Sequence, residues 1–358
     1  ALLAIALSPA MGWGAAVAVG AQAFLEGAAV SWLCPDDAHA GLSEAIVLAR
    51  RVGFPHGAFA RHETALDGEL AMTLRAAGIR RALWMADARD SRGFQAEAIA
   101  DGLATQVHDV GSTLAVVRRD ADLQRAAEAI VGARLRLGSS RFDGAQRVLV
   151  DAAVHDAFAA RLTDALARAA RDPLVQYGLT ALPVRARAAL TTRLDDALVH
   201  GGRLLVGSAP LPAGPAAPCL LSVPAAQART VAPWVPAPLL ALVPYAHDDD
   251  ALSLARSAPL GAVASVFGVD ESRALDLAAR LDVDVVHLND APDGGLALLG
   301  PRAAEGFASR TLRVLPATDT ARGRRYPPYQ PLWVRTTGLR LALTEGRHGL
   351  RGRLGELW

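Results

Sequence analysis

Side chains able to do covalent or acid–base chemistry are few in this chain, and they are scattered. Two cysteines, Cys34 and Cys219, are the only source of a thiolate that attacks an electrophilic carbon. Ser139 and Ser140 form a pair ahead of an apolar run. A serine hydroxyl becomes a nucleophile only beside a base, and loop serines also serve as turn hydrogen-bonders. His108 can take up or release a proton near neutral pH. The run His247-Asp248-Asp249-Asp250 carries metal-binding atoms, but it reads first as a solvated, acidic helix start of the kind the helix dipole favours. All 37 basic residues are arginine, which excludes Schiff-base chemistry and any mechanism that uses an ammonium side chain. Gly12, Gly14 and Gly20 give a partial GxG after an apolar run, but the third glycine comes too late for a dinucleotide fingerprint.

These residues must be positioned by a sizeable core. The 358 residues are 52% hydrophobic and 20% charged, the composition of a folded protein of about two domains. The 37 basic residues are balanced by 36 acidic ones, so the charge gives no reason to expect nucleic acid or an anionic membrane. Two cysteines without a CxxC pattern point away from a disulfide framework or a zinc site and towards a reducing cytoplasm. Residues 1–33 hold one charge, Glu26, but Pro9 and several glycines interrupt them and no basic region precedes them. A buried strand followed by a buried helix is expected there, not a membrane span.

Apolar runs of strand length alternate with longer segments of helical period. Strands are expected at Leu2–Leu7, Ala29–Leu33, Arg81–Met85, Thr113–Val117, Arg147–Val150, Arg203–Val206, Leu239–Tyr245, Val263–Phe267 and Val283–Leu288. Helices are expected at Ala152–Ala169 behind Asp151, at Ala121–Leu137 behind Asp120 and at Ser272–Leu281 behind Asp270, each acid placed as a cap. Ser208–Pro218 reads as a loop. The alternation predicts an α/β protein with largely parallel sheets flanked by helices.

Several segments, in order, resemble the aldehyde dehydrogenase superfamily: VRRDADLQRAAEAI (Val117 to Ile130), RLGSSRFDGAQRVLVDAAVHDAF (Arg136 to Phe158), the stretch from Val243 to Leu281, VVHLND (Val285 to Asp290) and RYPPY (Arg325 to Tyr329). The resemblance covers roughly residues 1–330, and the chain is similar to the inactive second module of two-module members. It implies a truncated Rossmann-type domain at 1–112, a catalytic-type α/β domain at 113–295, and a C-terminal segment with a basic tail at 296–358. It also implies that the opening portion of a typical member has no counterpart here, since Pro9 matches the start of the first nucleotide-domain loop.

The resemblance further implies where each catalytic group should stand. The family nucleophile is a cysteine five residues before the arginine that opens a strand; counting back from Arg147 gives Phe142. The general-base position holds His108. The oxyanion-donating asparagine is replaced by Met11, and the ribose-gripping lysine before a proline by Cys34. RALWMADARD (Arg81 to Asp90) lacks the glycine and serine of the phosphate turn. A glutamate and a phenylalanine near the second ribose contact are replaced by Trp234 and Pro236. Asn289 retains the family's residue and is expected to line the old cleft. No catalytic residue, cofactor or metal is therefore expected. The leading expectation is a catalytically degenerate module with an assembly role, as a homo-oligomer or with a catalytic aldehyde dehydrogenase module. Two alternatives stand beside it. One is an active NAD(P)-dependent oxidoreductase acting on aldehydes through a relocated site, with His108, Ser139, Ser140 and Cys34 as suspects and NAD or NADP as cofactor. The other is a small-molecule binding protein in which Trp13, Trp84, Trp234 and Phe142 line an apolar pocket.

Overall fold

The computed structural model describes residues 2–7, 13–25, 27–35, 40–64, 66, 69–86, 88–109, 112–135, 144–180, 182, 184–211, 216–257, 260–283, 285–291 and 311–314. Among them lie two sheets. The first contains β1 (Leu2–Leu7), β2 (Ala29–Cys34), β3 (Phe59–Glu63), β4 (Arg81–Ala86) and β5 (Ala104–Asp109), all parallel, in the order β3-β2-β1-β4-β5. Its helices are α1 (Trp13–Leu25), α2 (Ala40–Arg51), α3 (Leu70–Ala76) and α4 (Ala88–Ala100). A strand covered by helices on both sides needs apolar residues at successive positions, and β1 has them: Ile5 and Leu7 enter one core, Ala4 and Ala6 the other.

In the core that holds Ile5 and Leu7, Trp32 stacks on Phe59 at 5.3 Å between ring centroids, and its indole N–H donates to the Ala16 carbonyl at 3.2 Å. Any Cβ at Gly20 would overlap that indole. Gly20 is thus needed for helix–strand packing, which accounts for it without a cofactor.

The second sheet has eight strands in the order β13-β12-β11-β6-β7-β10-β9-β8. They are β6 (Ser112–Val117), β7 (Arg147–Asp151), β8 (Arg203–Val206), β9 (Cys219–Ser222), β10 (Leu239–Tyr245), β11 (Leu260–Phe267), β12 (Val285–Leu288) and β13 (Thr311–Val314), the last contributed by the C-terminal segment. Among the described residues, only the β8–β9 pair is antiparallel. Helices α5 (Leu123–Leu135), α6 (His155–Ala169) and α7 (Pro173–Thr180) contribute to the core on one face. Helices α8 (Val184–Val199), α9 (Asp248–Arg256) and α10 (Glu271–Arg280) contribute to the core on the other. β10 feeds both: Leu240 and Leu242 point to the α6 side, Leu239, Ala241 and Val243 to the opposite side.

Two caps differ from the sequence expectation. Asp122, not Asp120, caps α5 by accepting the Arg125 N–H at 3.0 Å, while Asp120 accepts the Asp270 N–H at 2.7 Å from another loop. Asp151 accepts the Ala153 N–H at 3.0 Å, but the turn it caps is a short 3₁₀ segment, Ala152–Val154, and α6 begins only at His155. Asp270 caps α10 as expected, through the Arg273 N–H.

Gly20→Ala forces the Trp32 indole or α1 to move. The expected cost is about 1–3 kcal/mol, read as a lower urea midpoint with an unchanged slope.

Candidate functional site

In an open parallel sheet, ligands bind outside the carboxyl ends of the strands where the strand order reverses. Here that point lies between β1 and β4. The loop after β1, with Pro9, Met11 and Gly12, lies outside the described residues, as do Ser139, Ser140 and Phe142. His108 lies on β5 with its backbone in register with Met85 of β4; only its backbone belongs to the described part, and the same holds for Trp13 on α1.

Cys34 is the last residue of β2, paired in register with Glu63. It is fully buried, and burial raises its thiol pKa to about 11, with Arg61 pulling weakly the other way. Cys219 opens β9 in the other sheet. Its thiol donates to the carbonyls of Ser208 at 3.4 Å and Ala217 at 3.5 Å, and burial again raises its pKa to about 11. With such values roughly one thiol in 10⁴ is ionised at pH 7. The two cysteines lie on separate sheets and are neutral.

The segment holding Trp234 is locked from behind. The Gln146 amide donates to the Pro233 carbonyl at 3.0 Å, and its carbonyl accepts the Val235 N–H at 2.8 Å. The Arg134 guanidinium, 1% exposed, donates to the carbonyls of Val235, at 2.7 Å, and of Ala237. Held so, Trp234 packs against the first sheet's core, beside residues that include Trp32, Cys34 and Phe59. An indole and a neutral thiol offer neither the carboxylate nor the cation that a ribose diol needs. The described residues at these two positions therefore do not fit a nicotinamide dinucleotide. Neither Gln146 nor Arg134 was singled out in the sequence. Their signal is faint: two polar side chains inside otherwise apolar elements.

Trp84 does not share a pocket with Trp234. It is fully buried on the other face of the first sheet, stacked on Phe94 at 4.0 Å between centroids. The apolar pocket drawn from both tryptophans is thus corrected: the sheet separates them. Asn289 makes structural hydrogen bonds at the end of β12. At φ +52°, a conformation that asparagine tolerates, its side-chain amide donates to the Gly268 carbonyl at 2.8 Å and accepts the Gly268 N–H at 2.9 Å. It ties the ends of β11 and β12 together.

The acidic run begins α9. Asp248 accepts Arg118 at 2.6 Å, Asp249 accepts Arg280, and Asp250 accepts the His247 backbone N–H at 2.9 Å. Among the described residues no group of three or more His, Cys, Asp or Glu is placed to hold a metal ion. No helix among them is long and apolar enough to cross a membrane.

The five-stranded parallel sheet reversing at β1 and β4, followed by an eight-stranded mostly parallel sheet, defines a nucleotide-domain-plus-catalytic-domain class of dehydrogenase architecture. The chain belongs to the aldehyde dehydrogenase family, whose profile matches residues 92–301, more than half of the sequence. It is similar to the vanillin dehydrogenase of Pseudomonas fluorescens, 30% identical over 211 residues that make up 56% of this chain and 43% of that protein. It is also similar to the glutarate-semialdehyde dehydrogenase of Pseudomonas putida, 24% identical over 71% of this chain and 55% of that protein. The chain thus spans about half the length of these curated relatives. Its fold matches the crystal structure of a NAD-dependent benzaldehyde dehydrogenase from Corynebacterium glutamicum with a TM-score of 0.70 at 22% identity, covering 81% of this chain and 64% of that one. It matches succinic semialdehyde dehydrogenase from Streptococcus pyogenes, solved with NADP+, with a TM-score of 0.69 at 16% identity and the same coverage.

Burial holds both thiols protonated in the folded state up to a pH of about 11, against an ordinary value of 9.0. The folded protein then binds more protons than the unfolded chain across that window. Stability is complete below pH 9.0 and falls as the pH rises through about 11. At pH 7, iodoacetamide should modify neither cysteine in the native protein and both after unfolding in urea, as counted by intact mass.

Proposed function

We propose that this chain is a catalytically degenerate aldehyde dehydrogenase module that acts in assembly, as a homo-oligomer or bound to a catalytic aldehyde dehydrogenase module, in a reducing cytoplasm. One observation carries the reading. The family's nucleophile position holds Phe142, and the only two thiols, Cys34 and Cys219, are buried and neutral. A benzyl group cannot attack a carbonyl, and a thiol held near 11 attacks poorly at neutral pH.

Supporting groups have changed as well. Met11 cannot donate to an oxyanion, Cys34 and Trp234 cannot grip a ribose, and His108 has no thioester to hydrolyse. Loss of a unit that acts together can cost on the order of 10⁶ in rate. The framework around it keeps its packed cores, its caps and its buried hydrogen bonds, which suits a role in presenting surfaces.

The decisive measurement is a titration with NAD and with NADP to millimolar concentration, followed by an assay with vanillin and with a short semialdehyde. No binding and no reduction are expected. Restoring the thiol alone, with Phe142→Cys, should leave aldehyde oxidation undetectable, because the base, the donor and the ribose contacts remain changed. Saturable binding of either nucleotide together with aldehyde-dependent reduction by the wild-type chain would overturn the reading. Size-exclusion chromatography with light scattering tests the assembly role directly. A lone monomer that captures no cysteine-bearing dehydrogenase would count against it.

A further inference from the structure

Where neighbouring parallel strands send their chains to opposite faces of a sheet, the two loops part, and the crevice between them is where open α/β sheets hold ligands. The second sheet has two such partings among the described residues. After β6 the chain goes to α5 on one face, and after its neighbour β11 to α10 on the other. That parting is bridged from within, because Asp120 of the β6 loop accepts the Asp270 N–H of the β11 loop at 2.7 Å. The other lies between β7 and β10, whose chains continue into α6 and α9 on opposite faces. Here a cavity of about 440 Å³ opens. Its wall includes Ala152 from the loop after β7, Pro244 and Ala246 from the end of β10, and Asp250, Ser253 and Leu254 from one face of α9. The crevice uses the carboxyl end of β7, whereas residue 142 precedes the amino end of that strand in the chain.

The volume falls in the range of small-molecule sites, about 300–1,000 Å³. Most of the wall is apolar, and two polar side chains stand on it one helical turn apart. Asp250 is the one charged group among the described residues of the wall. Its Oδ2 accepts the His247 N–H at 2.9 Å, which fixes the carboxylate and leaves Oδ1 open. Asp248 is taken up by Arg118 and Asp249 by Arg280, but no ion pair among the described residues takes up Asp250. Asp250 and Ser253 are both exposed, so a ligand can reach them. An anion would meet an uncompensated carboxylate there. A neutral donor would gain an ordinary hydrogen bond, and a cation a charge-assisted one of about twice the strength.

We propose that the crevice between β7 and β10 binds a small organic cation, a primary ammonium on an alkyl or aryl body. The ammonium donates to the Asp250 carboxylate and the Ser253 hydroxyl, which together use two of its three N–H groups. The apolar body lies against Ala152, Pro244 and Leu254. Neither thiol and no nucleotide enters, so the site stands apart from the cleft of the first sheet.

The test uses the full chain and three ligands of nearly equal shape: benzylamine, which is a cation at neutral pH, benzyl alcohol and benzoate. Isothermal titration at pH 7 should show saturable binding of benzylamine with a Kd on the order of 1 mM. The alcohol and the acid should bind at least about 10-fold more weakly. Asp250→Asn keeps an acceptor for the His247 N–H but removes the charge, and should weaken benzylamine by about 10-fold. Ala152→Trp should fill the crevice and abolish binding, with the far-ultraviolet circular dichroism of both variants unchanged. No saturable binding of benzylamine, or equal affinity for benzyl alcohol or benzoate, would overturn the proposal. Binding that either substitution leaves unchanged would do the same. The three-ligand comparison is made on the wild-type chain, so it does not depend on whether either variant folds.

Discussion

Arg147 begins β7 with a guanidinium that has no exposed surface, and much of the second sheet's geometry depends on it. Its nitrogens donate to the carbonyls of Leu254 at 3.1 Å and Ala255 at 3.2 Å in the last turn of α9, where the helix dipole places negative partial charge. Burial without a carboxylate partner lowers its pKa to about 10, but the group remains charged at neutral pH. One residue earlier, Gln146 holds the segment before β10, and from α5 Arg134 holds the same segment at two more carbonyls. Three consecutive demands of backbone satisfaction are met from β7 and α5: a helix end, a loop and a strand entry. Replacing Gln146 by an apolar residue would leave the Val235 N–H without the side-chain acceptor it has here.

That dependence explains how the framework can persist independently of any particular site chemistry. A core position asks for apolar volume, and many residues supply it. A buried carbonyl asks for a donor, which narrows the choice to a few. Neither demand requires a thiolate, an oxyanion donor or a ribose contact. Phe142, Met11 and Trp234 therefore stand where the family resemblance implies reactive or polar groups, while Arg147, Gln146 and Asn289 keep structural hydrogen bonds. Asn289 illustrates the division. Its amide looked available to a ligand, yet both ends of it close the turn at Gly268.

The parts legible in advance were those with strong local patterning. β1, β8 and β10 fall on the runs expected for them, and α10 starts behind the acid expected to cap it. β3 and β5 were missed. They are the outer strands of the first sheet, and their sequences, FARHE and ATQVHD, mix polar with apolar residues because only one neighbour strand and less core are available to them. β9 has four residues between proline-rich loops, too few to show a period. Of the candidate site, counting from Arg147 gave Phe142 at the position where the family resemblance implies a nucleophile; the burial of both thiols could not be read, since Cys34 and Cys219 look alike in any local window.

Composition, apolar period and motif order by themselves determined the α/β class, the parallel character of the sheets and the family, because these are properties of neighbours along the chain. Tertiary structure alone decided which face of the first sheet each tryptophan enters, which acid caps α5 and that Asn289 is already engaged. It also decided that the loop after β7 and one face of α9 line the same cavity. Those outcomes depend on strand order and on which groups remain unsatisfied once the backbone is paired, and both arise only when distant segments pack.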